Sequence, residues 1–171
     1  TYKKDYWKIF DTLSEEEKLK RTQARDWGLT EAEPCFDAAD VARCGRDLIV
    51  QQSTVTNAAG IGWLRRHFPD HRVHSVIFKE DAPMHIDATF VPLRPGLALS
   101  NRQRKPLTPE MLDLFKKNDW QIVECAKPAH DKKAKLSFCS VWLSMNILIL
   151  DPKTVCVEAA EKEQMEQFDK L

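Results

Sequence analysis

CFDAADVARCGRDLIVQQSTVTNAAGIGWLRRHFPDHRVHSVIF, residues 35–78, contains the order of elements that decides the fold. A first run, Cys35 to Val41, and a second, Asp47 to Gln52, read as two strands of a hairpin. Helical spacing follows from Asn57 to Phe68, with Trp63, Leu64 and Phe68 on the core side and Arg65 and Arg66 turned outward. Val73 to Phe78 then reads as a returning strand. The order is hairpin, helix, strand.

Working outward, the same order comes back. Ile86 to Leu93, a turn at Pro95-Gly96, Leu97 to Ser100, a helix opened by Thr108-Pro109-Glu110 and closed near Asn118, and a strand from Trp120 to Cys125 repeat the pattern. A third unit starts with Trp142 to Leu150, turns at Asp151-Pro152-Lys153, continues through Thr154 to Val157 and enters a helix at Glu161 that runs on to Leu171. Units repeated at this period imply α/β modules stacked about an axis, each covering a neighbour's apolar face. Upstream, Ser14 followed by Glu15, Glu16 and Glu17 has the capping-box pattern and predicts a short surface helix through Arg21. The expected organisation is a polar segment over 1–32 and a modular domain over 33–171.

The most chemically loaded run is MHIDATF, residues 84–90. It sets the imidazole of His85 two residues before the carboxylate of Asp87, and strand alternation would put both on one face. An acidic cluster with Asp37 and Asp40 sits upstream in a similar setting, Asp37 in the first strand of one hairpin as Asp87 is in the first strand of the next, and Ser140 lies just ahead of the third hairpin. Around an axis, equivalent strand positions converge, so a histidine and several carboxylates would meet as a site for a guanidinium or an amine. Against this stands the ordinary use of aspartate as a turn former and cap.

Composition narrows the classes. The chain has 171 residues, 43% of them hydrophobic and 30% charged, enough to bury a core and too polar for a membrane protein. Lys plus Arg and Asp plus Glu both number 26, so no net positive field favours a nucleic acid. The longest apolar run, near Ile147 to Leu150, is too short to span a bilayer. Five cysteines without a CxxC pair fit neither a disulfide framework nor a zinc site and point to a reducing compartment. His71 and His74 flank a strand as surface residues, and no metal or cofactor is expected. The first residue is Thr1 rather than Met, so the expectation is a processed or excised piece whose location the missing leader does not reveal.

The runs EPCFDAAD, CGRD, VTN, GIGWLRRH, MHIDATF, LSN, LFKK and WLSMN resemble the glycine amidinotransferases, nearly throughout from Glu33 to Leu171 and more weakly before it. The resemblance implies a pentein-type, five-module ββαβ α/β propeller, of which 33–171 would hold the middle modules of one domain. It implies transfer of the amidino group of L-arginine to an amine acceptor, glycine foremost, through an amidino-cysteine intermediate. His85 would be the general acid and base, a role that suits a group of intermediate pKa. Asp37 would be the catalytic carboxylate and Asp87 a second carboxylate on the same cation, two acceptors for a five-donor planar guanidinium. Arg104 would bind the substrate carboxylate by its fork, and Ser140 would contact the substrate.

Two departures accompany the resemblance. Cys139 stands where family members carry a serine, and the lysine-rich run from Lys127 to Lys135 differs from the proline-rich loop of the animal enzymes. The family nucleophile, a cysteine in a Gly-Gly-Gly-x-His-Cys setting, has no counterpart after Cys156, while Cys35, Cys125 and Cys156 read as structural thiols. The expectation is therefore a portion of a longer amidinotransferase, inactive alone. The alternative is a truncated, catalytically dead paralogue acting as an interaction or structural protein, and hydrolysis of the guanidino group, as in arginine deiminases, is disfavoured by MHIDATF and WLSMN. The resemblance further implies a homodimer, and a cytoplasmic location, or a mitochondrial one for an animal chain.

Overall fold

A computed structural model of the protein describes residues 2–78, 84–104, 106–130 and 140–171. Two compact units divide the chain, Thr1–Ile86 and Asp87–Leu171.

In the first unit, α1 (Tyr6–Phe10) and α2 (Glu15–Gln23) precede the modular part. The capping box opens α2: the Ser14 side chain accepts from the Glu17 N–H, and the Glu17 carboxylate accepts from the Ser14 N–H. β1 (Val41–Cys44) and β2 (Asp47–Gln51) form an antiparallel hairpin whose two-residue loop starts with Gly45 at φ 63°, a left-handed conformation that glycine adopts without steric penalty. α3 (Ala58–His67) crosses over, and β3 (Arg72–Val76) returns parallel to β2, giving the order β1-β2-β3. Leu48 and Val50 alternate onto the α3 side and pack with Ile61 and Leu64, with Val41, Trp63 and Val73 at the margin. Burial of this apolar face, at roughly 25 cal/mol per Å², is what holds helix to sheet.

The second unit repeats the device. β4 (Phe90–Arg94) and β5 (Leu97–Ser100) are joined through Pro95 and Gly96, the latter at φ 81°, the Pro-Gly signature of a type II turn. α4 (Pro109–Lys117), capped by Thr108 with Pro at its start, leads to β6 (Gln121–Glu124), which pairs parallel with β5. β7 (Leu148–Asp151) and β8 (Thr154–Cys156) form a third hairpin, and α5 (Lys162–Phe168) follows. Leu99, Cys125 and Met145 centre this core, against Val91, Leu93, Val123, Trp142 and Phe168.

Three strand boundaries read from the sequence are corrected. The run from Cys35 does not enter the sheet until Val41, because Asp37 caps a 3-10 turn over Ala38–Asp40. MHIDATF is not a strand before Phe90, since a second 3-10 turn occupies Ile86–Ala88. The third hairpin begins at Leu148, because Trp142 to Asn146 turn on themselves, Met145 N–H bonding to Trp142 O and Asn146 N–H to Leu143 O, which buries Met145. In each case local hydrogen bonds won over an apolar pattern that turns and strands share.

Candidate functional site

Asp37 belongs to a stretch of coil that side chains, not a strand, hold in place. Asn57 binds this stretch twice: its Oδ1 accepts the Cys35 N–H at 2.9 Å and its own N–H donates to Cys35 O at 3.0 Å. The Asn57 amide also donates to Thr30 O and Glu33 O, both at 2.7 Å, and Oδ1 caps α3 through the Gly60 N–H. Thr56 Oγ1 accepts the Asp37 N–H at 3.0 Å. Gly60 explains why the stretch can lie so close to α3, since a Cβ there would sit 2.1 Å from Cys35 O. The run Ser53 to Asn57 thus positions Asp37 from behind.

The Asp37 carboxylate divides its work. Oδ1 accepts the Ala39 N–H at 2.9 Å and caps the 3-10 turn, while Oδ2 lies 3.5 Å from His85 Nε2. That separation is within ion-pair range and long for a hydrogen bond. Both side chains are about two-fifths exposed, at 40% and 43%, so their attraction adds little to stability. His85 is nevertheless held at φ 58°, a left-handed conformation that costs a non-glycine residue about 1 kcal/mol. A histidine with a strained backbone, its imidazole placed against a carboxylate for little stabilisation, is a pattern associated with function.

Behind the pair lies Asp40, the last residue of the 3-10 turn and wholly buried. Its Oδ2 accepts the Ser53 hydroxyl at 2.5 Å and the Thr56 hydroxyl at 2.6 Å. Burial pushes its carboxyl above the ordinary range; the two hydroxyls and the nearby His85 pull it back, and Asp37 adds to the rise. Gln51 is also wholly buried, and neither its amide atoms nor Asp40 Oδ1 finds a partner among the described residues.

In the second unit Asp87 sits within the 3-10 turn Ile86–Ala88, half-buried, so the same-face alternation with His85 expected of a strand does not hold. Arg104 is half-buried in the loop after β5, its N–H bonding to Asn101 O and Oδ1. Ser140 is exposed, and its Oγ accepts the Trp142 N–H at 3.2 Å. Cys139 and most of the lysine-rich run lie outside the described residues. The structure thus brings Asp37 and His85 together within one unit, with Asp40 of the acidic cluster behind them and Ser53, Thr56 and Asn57 as the supports that sequence reasoning does not single out. Their only trace in the sequence is a run of hydroxyl and amide residues directly after an apolar strand. Among the described residues no group of three His, Cys, Asp or Glu is arranged to hold a metal, and no helix is long and apolar enough to cross a membrane.

No family model matches the chain. Individual relatives do. The chain is 50% identical over 143 residues to the mitochondrial glycine amidinotransferase of Xenopus tropicalis, covering 83% of the chain and 33% of that protein. It is 44% identical over 167 residues to that of Gallus gallus, covering 97% and 39%. It is also 44% identical over 135 residues to the L-arginine:L-lysine amidinotransferase of Pseudomonas savastanoi pv. phaseolicola, covering 78% and 36%. Among solved structures, an amidinotransferase of the saxitoxin biosynthetic pathway from Microseira wollei superposes with a TM-score of 0.73 at 36% identity, over 84% of this chain and 42% of that one. A dimethylarginine dimethylaminohydrolase at 17% identity shares the fold, with a TM-score of 0.59 over 90% of this chain and 56% of that one.

The class is therefore the pentein-type α/β fold of guanidino-modifying proteins, represented by some of its ββαβ modules. Within that class the chain belongs to the glycine amidinotransferase family. It spans between a third and two-fifths of the length of the curated relatives it matches.

Proposed function

We propose that these modules supply the donor side of an arginine-dependent amidinotransferase, with glycine as the acceptor. The observation that carries this reading is the approach of His85 Nε2 to Asp37 Oδ2 at 3.5 Å, in a half-exposed setting and with the histidine in a strained conformation. Asp37 and Asp87 bind the arginine guanidinium and fix its plane, while Arg104 and Ser140 bind the amino-acid end. A cysteine thiolate attacks the guanidino carbon, the bond from that carbon to the ornithine nitrogen breaks, and the His85 imidazolium gives its proton to the departing amine. The neutral imidazole then takes a proton from the incoming amine as that amine displaces the thiolate.

Two of the five cysteines are unsuited to be that nucleophile. Burial pushes the thiols of Cys44 and Cys125 up to about 12, Asp47 and Glu124 adding to the rise respectively, so both stay protonated at neutral pH. The names of the vertebrate relatives support a mitochondrial location over a cytoplasmic one.

The test is intact-protein mass spectrometry of the native protein after incubation with arginine labelled at the guanidino carbon, with ornithine assayed in parallel. A labelled amidino adduct and stoichiometric ornithine are expected, and both should disappear in Asp37→Asn and His85→Asn. Absence of both products from the wild-type protein would sink the reading and leave a catalytically dead paralogue.

A further inference from the structure

Asp40 presents a puzzle that the roles above do not solve. Taking a carboxylate out of water costs several kcal/mol unless its surroundings compensate. The 3-10 turn that ends at Asp40 does not need this charge, because the equivalent turn in the second unit ends at Ala88 and is fastened by an amide, Asn101 Nδ2 donating to Ala88 O at 3.1 Å. A neutral solution to the same structural problem exists in the same chain.

Hydrogen-bond polarity at Asp40 is fixed by its neighbours. Ser53 Oγ accepts the N–H groups of Val55 and Thr56, both at 3.1 Å, and Thr56 Oγ1 accepts that of Asp37 at 3.0 Å. Each hydroxyl has one proton, and each sends it to Asp40 Oδ2, at 2.5 and 2.6 Å. Two O–H donors converging on one oxygen at these distances are the charge-assisted pattern of an ionised carboxylate. Asp40 also interacts electrostatically with His85 and Asp37. The Tyr2 phenol interacts electrostatically with Cys35 and Asp37.

Resting on the amidinotransferase reading, we propose that Asp40 is a positioning residue: through Thr56 it fixes the backbone that presents Asp37. Thr56 is the mechanical link, since the oxygen that donates to Asp40 also accepts from the Asp37 N–H.

Thr56→Val keeps Asp40 and cuts the link to the Asp37 N–H, so in the native protein kcat should fall roughly 10- to 100-fold, the loss expected when a reacting group is displaced. Thr56→Ser, which keeps the hydroxyl, should restore it. Asp40→Ala, which leaves Thr56 without its acceptor, should lower kcat as well, and Asp40→Asn, whose amide oxygen can still accept both hydroxyls, should recover part of the loss. Wild-type kcat in a folded Thr56→Val protein overturns the proposal, and so does Thr56→Ser that is no better than Thr56→Val. Should the Asp40 variants not fold, the Thr56 pair decides. Hydrogen exchange at the Asp37 amide needs no turnover: it should be faster in Thr56→Val, and unchanged exchange overturns the link. A wild-type protein that never forms ornithine, with that exchange still accelerated in Thr56→Val, would reject the amidinotransferase reading while leaving the Asp40–Thr56–Asp37 link standing.

Discussion

The two complete modules use one backbone plan and fill it with opposite chemistry. Each approaches its first strand through a 3-10 turn, Ala38–Asp40 or Ile86–Ala88, and in each the loop after the second strand reaches back to fasten that turn. In the first module the turn ends on a buried carboxylate gripped by Ser53 and Thr56; in the second it ends on Ala88, held by Asn101. The helices differ in the same sense. Three residues past its cap, α3 has Gly60, against which the Cys35 carbonyl lies, whereas α4 has Met111 at that position, 2% exposed in the core. Where the second module packs a side chain, the first admits a strand of backbone that presents Asp37. The difference teaches that the ββαβ plan can be built without the buried charge or the glycine, and that in the first module both serve the presentation of Asp37.

The largest break in this contrast should come from Gly60→Ala. A Cβ 2.1 Å from a backbone carbonyl cannot be relieved by a side-chain rotation, so helix and coil must separate. A loss of about 3 kcal/mol is expected in urea denaturation. Gly62→Ala on the same helix has only Arg66 Nη1 at 3.5 Å as its nearest neighbour and should gain about 0.5–1 kcal/mol from helix propensity. Equal midpoints for the two variants would show that the Cys35 stretch does not dock where the structure has it.

A smaller effect sharpens the comparison between the fastening loops. Asn57→Ala removes the α3 cap and three further hydrogen bonds to backbone, two of them donated by its amide, and should cost about 2–3 kcal/mol. Asn101→Ala loses an amide donor to Ala88 O and an acceptor for the Arg104 N–H, and should cost about 1–2 kcal/mol. Reversal of that order, read from chemical denaturation, would mean that the second module depends on its amide more than the first depends on its loop.

These contrasts bear on what the sequence makes legible. Turns and helix starts are readable because their chemistry is local: Ser14 with Glu17, Pro95-Gly96, and Thr108-Pro109 each act within four residues of chain. The approaches to the hairpins read as strand because Cys35 to Val41 and Ile86 to Leu93 have strand-like composition, whereas what bends them is a long-range partner. Thr56 holds Asp37 across 19 residues, Asn57 holds Cys35 across 22, and no local pattern predicts either pairing. Residue type and repeat position single out Asp37 and His85, the family resemblance supplies their roles, and strand alternation groups His85 with Asp87 instead. Asp40 was visible as part of an acidic cluster, but its burial depends on the hydroxyls of Ser53 and Thr56 and so was not.

The smallest effect concerns the start of the parallel strand pair, where the modules again differ in charge. β2 and β3 begin at Asp47 opposite Arg72, whose guanidinium grips the carboxylate at both oxygens while His74 Nε2 lies 2.7 Å from Oδ1. β5 and β6 begin at Leu97 opposite Gln121, with no charge on either side. The Arg72 hydrogen bonds, aided by His74 and opposed by partial burial, hold the Asp47 carboxyl below its ordinary range. A carboxylate depressed in the folded state stabilises it fully at pH above the unfolded value of about 4, and that contribution is lost as pH falls through the lower folded value. Because Arg72 is 66% exposed, solvent screening limits the effect to about 0.5–1 kcal/mol. Asp47→Asn should therefore be less stable than wild type by that amount at pH 7, with the two denaturation curves merging towards pH 2. A difference that persists at pH 2 would assign the role of Asp47 to packing, and the first module would then need its ion pair no more than the second needs one between Leu97 and Gln121.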